Sequence, residues 1–335
     1  MRLMLASASV RRIETGRARL TEGVLTVDPD AVLSAVREVP GISAAALDVV
    51  APGDSTRIVH ALDAVEPRLR PGGGGAYPGV DGPVAIAGEG ETRRLAGAAV
   101  IVCCEVPWRN RGGLLLPREG IIDMSGPGAM YSPFGGTHNI VVTLSLVDNL
   151  DDEGCEHATR IAGFRAAARV ADVLQSARDL EGEAFELAPA PGLPSVVYVY
   201  QIQSQALWAR TFLYGQPLDD QLPLLLHPNE ILDGALASGN QVYQNHKIPT
   251  WLHASSPVVR ELYARHGRDL NFRGVILSRG YFYSDEAKQR SALFAARLAA
   301  HMGADGAVVT WEGGGNSMVE AMLTVQACER HKGKS

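Results

Sequence analysis

The sequence has few cysteines, few lysines and no large excess of charge of either sign. Its 335 residues include four cysteines, without a C-x-x-C pair or a zinc-finger spacing, so we expect neither a disulfide framework nor a metal site. The formal net charge of −6 argues against a nucleic-acid partner, which would require a basic patch. Only four of the 31 basic residues are lysine, a bias typical of a GC-rich genome.

The sequence also lacks a long apolar run. No stretch approaches the roughly 18 apolar residues that span a bilayer, and Arg11 and Arg12 end the apolar start too early for a convincing signal peptide. We therefore expect a cytoplasmic protein without membrane contact. Hydrophobic residues at 46% and charged residues at 20% exclude a disordered chain, and the length suits two domains.

The pattern of secondary structure changes near residue 150. Residues 1–150 contain short segments typical of strands, and residues 98–104 are apolar throughout, which predicts a strand buried on both faces. After residue 150, strands alternate with helices, which predicts a mostly parallel sheet. We expect an α/β protein with a β-rich N-terminal domain (1–150) and an α/β domain (151–335). A final helix without a following strand suggests that the sheet either ends there or is completed by a partner chain.

A glycine-rich segment from Glu312 to Ser317 lies between a predicted strand and a predicted helix. Open α/β sheets bind ligands at the carboxyl ends of their strands, and free N–H groups at a helix start can hold a carboxylate. The segment lacks the lysine of a phosphate-binding loop. It is either a ligand loop, with Glu312 and Asn316 as substrate contacts, or a plain helix entry.

His227 and Glu230 stand three residues apart around Pro228. If Pro228 opens a helix, both side chains can face one side, where they could transfer protons or supply half of a metal site. Helix capping or polar packing is the alternative interpretation.

Two turns rich in small residues are further candidates. Asp123 precedes a Ser-Gly-Pro-Gly turn that begins at Ser125, which predicts either local capping or a pocket rim or partner contact. The turn at 237–241 contains Ser238 and Asn240. A serine or cysteine in such a turn can be an internal nucleophile, because glycine allows a strained backbone, or the turn is only a connection.

The cysteines differ in their predicted surroundings. Cys155 stands just before a predicted helix, whose dipole would lower the pKa of the thiol, and it is the candidate reactive thiol. Cys103 and Cys104 lie in the predicted buried strand, which is typical of inert core residues.

Several longer segments point to a known family when they are taken in order. They cover residues 52–58, 63–68, 88–92, 119–129, 198–205, 227–240, 266–272 and 312–316. Together they resemble the precursor subunit of component B of glycine, sarcosine and betaine reductases, a family related to the pyruvoyl proprotein of D-proline reductase. The resemblance extends from about residue 20 to residue 330 and implies a subunit of a multi-component oxidoreductase.

The resemblance also implies a mechanism. In that family the precursor cuts itself at an internal cysteine and leaves a pyruvoyl group, whose carbonyl engages the substrate amine. A selenocysteine-bearing partner then attacks the adjacent carbon, and the C–N bond breaks. Here the position of the processing cysteine is Gln241, which cannot yield a pyruvoyl group, and Ser238 is three residues out of register. We therefore expect an unprocessed chain without a cofactor.

Two hypotheses follow for a hetero-oligomer with a cysteine or selenocysteine partner. In the first, the chain is an enzyme subunit for reductive cleavage or formation of a carbon–heteroatom bond in a small amine or amino-acid-derived substrate, with a role in specialised metabolism open. His227 and Glu230 would then move protons, and the substrate contacts would be Asp123, Ser125, Asn240, Glu312 and Asn316. In the second, it is a non-catalytic scaffold whose sheet edge is an assembly surface. A metal-dependent hydrolase using His227 is a distant alternative.

Overall fold

The computed structural model describes residues 1–105, 120–204, 209–239, 247–280 and 282–332. The helices within these ranges are α1 (Pro29–Arg37), α2 (Asp152–Ala171), α3 (Pro228–Leu232), α4 (Thr250–Ala254), α5 (Pro257–Arg265), α6 (Asp285–His301) and α7 (Asn316–Lys332). The strands are β1 (Arg2–Ser9), β2 (Arg12–Thr15), β3 (Arg19–Thr21), β4 (Val24–Val27), β5 (Ile42–Val50), β6 (Arg57–Val59), β7 (Ala61–Val65), β8 (Arg68–Leu69), β9 (Gly90–Ala96), β10 (Ala98–Cys104), β11 (Ile121–Asp123), β12 (His138–Leu146), β13 (Glu181–Glu186), β14 (Ser195–Gln203), β15 (Thr211–Leu213), β16 (Gln216–Pro217), β17 (Leu224–Leu226), β18 (Leu236–Ser238), β19 (Asn271–Gly280) and β20 (Gly306–Trp311).

The first large sheet has the strand order β5-β12-β10-β7. Strand β10 is buried along its whole length, as its unbroken apolar sequence predicted. Its residues Val100 and Val102 belong to a core cluster with α1 and α2, whereas Ile101 and Cys103 pack with Phe134 on the other face. The period of two in a strand thus separates two apolar layers.

The second large sheet has the order β17-β19-β14-β20. Strands β19 and β20 both run parallel to β14, and β17 is antiparallel to β19. Val197 and Val199 of β14 pack against α6, while Tyr198 and Tyr200 join a second cluster that includes β1 and α5. The mixed α/β architecture and the β-rich N-terminal region agree with the fold class expected from the sequence.

A third sheet, with the order β13-β1-β9-β8, combines segments from both sides of residue 150. Strand β13 pairs with the N-terminal β1, from Arg2 opposite Glu186 to Ser7 opposite Glu181. Helix α2 also packs on β10, although it follows residue 150. The division into domains at residue 150 stays a prediction.

No helix in the described part of the chain is both long and apolar enough to cross a membrane.

A buried ion network connects the N-terminal strands to helices α3 and α4. The guanidinium of Arg68 pairs with Glu66, and both side chains are 0% exposed. The same guanidinium donates to the carbonyl oxygen of Leu232, at the end of α3, and to that of Ala254, at the end of α4, at 3.0 Å. Because a buried charge must be paired and hydrogen-bonded, Arg68 fixes the positions of both helices.

We expect Arg68→Met to lower the free energy of unfolding by about 3–5 kcal/mol, because it leaves Glu66 buried without its main partner. Urea unfolding would measure the change. The matched control is Arg2→Met, which removes an exposed pair with Glu186 and is expected to cost about 0–1 kcal/mol. Equal effects of the two substitutions would contradict the structural role of Arg68.

Candidate active-site cavity

A cavity of about 270 Å³ lies between β7, β11 and the start of α4. Among its described lining residues, only Asp63 and Lys247 carry a charge. Most of the remaining lining is apolar, with contributions from Ile121, Ile122, Phe134 and Leu252, among others. Concave, mostly apolar sites with a few convergent polar groups are typical of small-molecule binding, so this cavity is the candidate active site.

Asp63 is a buried carboxyl group held in a fixed orientation. One of its oxygens, Oδ1, accepts from the backbone N–H groups of Ala64 (2.8 Å) and Thr250 (2.9 Å), and Oδ2 accepts from the hydroxyl of Thr250 at 2.6 Å. Burial raises the pKa of Asp63 to about 7, against the opposing effects of these hydrogen bonds and of the nearby charge of Lys247. A carboxyl group with such a pKa can gain or release a proton at neutral pH.

Lys247 supplies the positive charge of the cavity. Its ammonium group donates to the carbonyl oxygen of Gln203 at 3.0 Å and to the hydroxyl of Thr211. Burial lowers the pKa of Lys247, whereas the carboxyl groups of Glu312 and Asp63 oppose that shift. An ammonium group has three donors, and these contacts use two of them.

An inner polar cluster lies beside Lys247 and consists of Tyr200, Gln203, His253 and Glu312. The backbone N–H of Gln203 donates to Oε2 of Glu312 at 2.8 Å, and the hydroxyl of Tyr200 lies 2.8 Å from Nδ1 of His253. Nε2 of His253 lies 3.6 Å from Oε1 of Glu312. Neither of these two atoms has a hydrogen-bond partner within the described ranges.

Burial determines the charge states in this cluster. It lowers the pKa of His253 to about 3, with a further contribution from Lys247, so the imidazole is neutral at neutral pH. Burial also raises the pKa of Glu312, against the effect of Lys247. The cluster therefore places Glu312 as the acidic partner of Lys247.

The parallel sheet explains how these side chains meet. Gln203 ends β14 and Glu312 follows β20, its neighbour in the sheet. Since parallel strands end at the same edge, both residues reach the carboxyl edge of the sheet, where open α/β sheets bind ligands. The N–H of Glu312 donates to the carbonyl oxygen of Gln201 at 3.0 Å, which extends the ladder to the glycine segment.

The glycine segment leads into helix α7, and one of its residues, Glu312, belongs to the inner polar cluster. Glu312 is 3% exposed. Asn316, in contrast, begins α7, and its Oδ1 accepts from the ammonium of Lys288 at 3.4 Å. The structure therefore brings Glu312 beside Lys247 and shows no contact of Asn316 with the cavity lining.

His227 and Glu230 form a capping box at the start of α3. The Nδ1 atom of His227 accepts from the N–H of Asn229 at 3.2 Å, and Glu230 accepts from the N–H of His227 at 2.6 Å. The other oxygen of Glu230 accepts from the hydroxyl of Tyr214 at 2.7 Å. Burial lowers the pKa of His227 to about 4. Pro228 is the first residue of this helix. The contacts of His227 and Glu230 are those of helix capping, and the catalytic role of the two residues stays a prediction.

Asp123, Ser125 and Ser238 are not among the described lining residues of the cavity. Asp123 pairs with Arg57 at 2.6 Å, and Ser125 is exposed in the following turn. Ser238 is buried in β18 and donates its hydroxyl to the carbonyl oxygen of Ile248 at 2.7 Å. Asn240 and Gln241 lie outside the described residues.

Cys103, Cys104 and Cys155 are buried, whereas Cys328 is only partly buried. Cys155 belongs to the first turn of α2, which begins at Asp152 and not at residue 156, and it is 1% exposed. This burial is typical of an inert thiol. Burial raises the pKa of Cys103 and of Cys104 to about 12, in agreement with the expectation that both are unreactive. No cluster of three or more potential metal ligands occurs among the residues that the structure describes.

The charged residues of the cavity were not predicted from the sequence. Asp63 stands inside an apolar strand segment, and its partner Thr250 is 187 positions away, so no local motif shows the site. A usable signal existed for Lys247, which is one of only four lysines in a chain that otherwise uses arginine. Arginine cannot replace lysine where a pKa must shift.

We expect residue 63 to give the stability of the protein a pH dependence. The folded state keeps the Asp63 proton up to about pH 7, while the unfolded chain releases it near pH 4. Stability therefore falls between about pH 4 and pH 7, by up to about 4 kcal/mol from this group. Asp63→Asn removes that contribution. Denaturant unfolding between about pH 4 and pH 7 should therefore show a smaller decrease in the free energy of unfolding for this variant than for the wild type. The control Asp48→Asn, at an exposed position, should leave the pH dependence of the free energy of unfolding unchanged. An unchanged pH dependence in Asp63→Asn would contradict the shifted pKa.

Comparison with known proteins identifies the family of this chain. The family model for glycine/sarcosine/betaine reductase component B subunits matches residues 1–335. The chain is 36% identical over 338 residues to "Glycine reductase complex component B subunits alpha and beta" of Peptoclostridium acidaminophilum, covering 98% of this chain and 77% of the relative. The sarcosine and betaine reductase component B alpha subunits of that organism are 34% and 35% identical, with 98% of this chain and 77% and 76% of those proteins covered. No solved structure matches the chain. The chain belongs to the family of glycine/sarcosine/betaine reductase component B subunits.

Proposed function

We propose that this chain is the substrate-binding subunit of a reductase complex, that it acts without a pyruvoyl group, and that a partner subunit supplies a cysteine or selenocysteine nucleophile. The observation that carries the proposal is the cavity in which Asp63, with a pKa of about 7, lies beside Lys247. The relatives are named as components of glycine, sarcosine and betaine reductase complexes, which supports a small amine or amino-acid-derived substrate.

The charges of the cavity suit such a substrate. In this proposal the ammonium group of Lys247 binds a substrate carboxylate, and Asp63 faces the substrate nitrogen. In the cleavage direction, the thiolate or selenolate of the partner attacks the carbon bonded to nitrogen. A C–S or C–Se bond forms, the C–N bond breaks, and its electron pair goes to the nitrogen. Protonated Asp63 gives its proton to that nitrogen as the C–N bond breaks, so that a neutral amine leaves, and bond formation would follow the same steps in reverse.

The residues near the family's processing position do not fit a pyruvoyl group. Gln241 stands where the resemblance places the cysteine. Ser238 lies in β18, paired with Thr211 of β15, and its hydroxyl is committed to the carbonyl oxygen of Ile248. A serine held in a regular strand lacks the strained turn that favours attack on the preceding carbonyl. The proposed chemistry therefore does not use a pyruvoyl group.

An apolar surface on the second sheet supports assembly with the partner subunit. We call it the α6–α7 surface; its exposed large apolar residues are Leu293, Phe294, Val308, Trp311, Met318, Val319 and Met322. Strand β20 forms the edge of its sheet, and unpaired edges tend to be covered by another chain. The scaffold hypothesis would use the same surface but would leave Asp63 and Lys247 without a role.

Two sets of variants separate chemistry from assembly in a complex reconstituted with the subunit encoded beside this one. Asp63→Asn should lower kcat at least about 100-fold, since it removes a general acid, and Lys247→Met should raise KM. Both should still bind the partner in pull-down or size-exclusion measurements. His227→Asn keeps the helix cap, so we expect unchanged turnover, and a loss would restore the catalytic assignment of His227.

The assembly variant is Met318→Asp, which places a charge on the α6–α7 surface. It should weaken binding of the partner without lowering the melting temperature. The matched control is Val84→Asp, because Val84 is exposed (68%) on another part of the chain. Full turnover in Asp63→Asn and Lys247→Met would leave the scaffold as the better interpretation.

The denatured intact mass tests whether the chain is processed. Protein co-expressed with its partner should give a single species near 35.7 kDa, because Gln241 cannot begin the acyl shift. Two fragments that meet between Ser238 and Gln241, one of them reactive with a carbonyl probe, would contradict the unprocessed state.

A further inference from the structure

The cavity contains far more apolar surface than a small amino acid can use. Among its described lining residues the charged groups are Asp63 and Lys247, and Ile121, Ile122 and Leu252 contribute to an apolar wall. Tyr131, which also lines the cavity, is 85% exposed and marks its open side. The apolar wall is rigid at one point, since Phe134 packs edge-on against Trp251 with 5.7 Å between ring centroids.

The volume decides what the wall can hold. A dry cavity of about 150 Å³ lined by leucine, isoleucine and phenylalanine is enough for benzene. The cavity here measures about 270 Å³, which leaves room for a group of that size and for a carboxylate and an amine. Glycine would contact the polar groups only, and the apolar wall would then face water. Contact between water and apolar surface is unfavourable.

We propose that the substrate of this cavity is an amino-acid-derived carboxylate that carries an apolar group of about the size of phenyl. This inference rests on the proposed function, because that function makes the cavity the substrate site. The carboxylate binds the ammonium of Lys247, the nitrogen lies beside Asp63, and the apolar group covers Ile122 and Leu252. The substrates named for the relatives have no large apolar group, so the proposed specificity of this chain differs from theirs.

Equilibrium binding to the full-length chain tests the inference without any turnover. Isothermal titration with L-phenylalanine, 3-phenylpropanoate and glycine at the same pH compares ligands that share a carboxylate. We expect each phenyl compound to bind with a Kd at least about tenfold lower than that of glycine, as burial of an aromatic group predicts. Lys247→Met should weaken the binding of all three ligands, because each binds through its carboxylate.

Cavity-filling variants provide the specific control. Ile121→Trp, at the partly exposed side of the wall, should remove the preference for phenyl compounds, and Leu252→Phe provides a second filling variant if the first fails to fold. The matched control Leu293→Trp adds the same bulk on α6, outside the cavity lining, and should keep the preference.

Equal affinity for glycine and the phenyl compounds, absence of binding by all three, or loss of the preference in Leu293→Trp would overturn the inference. The proposed function fails separately. If the phenyl compounds bind as expected but the reconstituted complex does not reduce any amine of this class, the cavity assignment stands and the reductase role does not.

Discussion

The arrangement of the cavity depends on the way one short helix is held at both ends. The N–H and hydroxyl of Thr250, at the start of α4, donate to Asp63 of β7. The carbonyl oxygen of Ala254, at the end of the same helix, accepts from Arg68 of β8. Two buried charged residues five positions apart in the sequence thus fix a helix that lies about 190 positions later in the chain.

This double attachment has an electrostatic consequence. Arg68 is neutralised by Glu66, so it positions α4 without presenting a free positive charge to Asp63. The carboxyl group of Asp63 keeps a high pKa because burial dominates over its hydrogen bonds and over Lys247. A nearby unpaired arginine would lower that pKa instead. The pairing of Arg68 with Glu66 is therefore compatible with an acid that still holds a proton near neutral pH.

The sequence predicted the parts of the fold that follow from local periodicity, including the buried strand β10 and the alternation of β19, α6, β20 and α7. It also placed Glu312 at the carboxyl edge of a sheet, because strand–glycine–helix order is a local pattern. It could not predict the pairing of Asp63 with Thr250, since that contact arises from packing of distant segments. His227 and Glu230 show the reverse case. Their spacing suggested that both could face one side if Pro228 opens a helix, and the observed capping box leaves the catalytic role a prediction.

The apolar wall and the acid of the cavity are physically coupled. The pKa of Asp63 is high because the carboxylate form would be poorly solvated. An apolar group on Ile122 and Leu252 would exclude water from the open side and strengthen that effect, whereas a ligand as small as glycine would admit water and weaken it. In the proposed mechanism, a substrate that fills the cavity would thereby keep Asp63 protonated until the C–N bond breaks. In the proposed function, Gln241 takes the position that the resemblance gives to the processing cysteine, and proton transfer from the desolvated Asp63 activates the C–N bond instead of a pyruvoyl group.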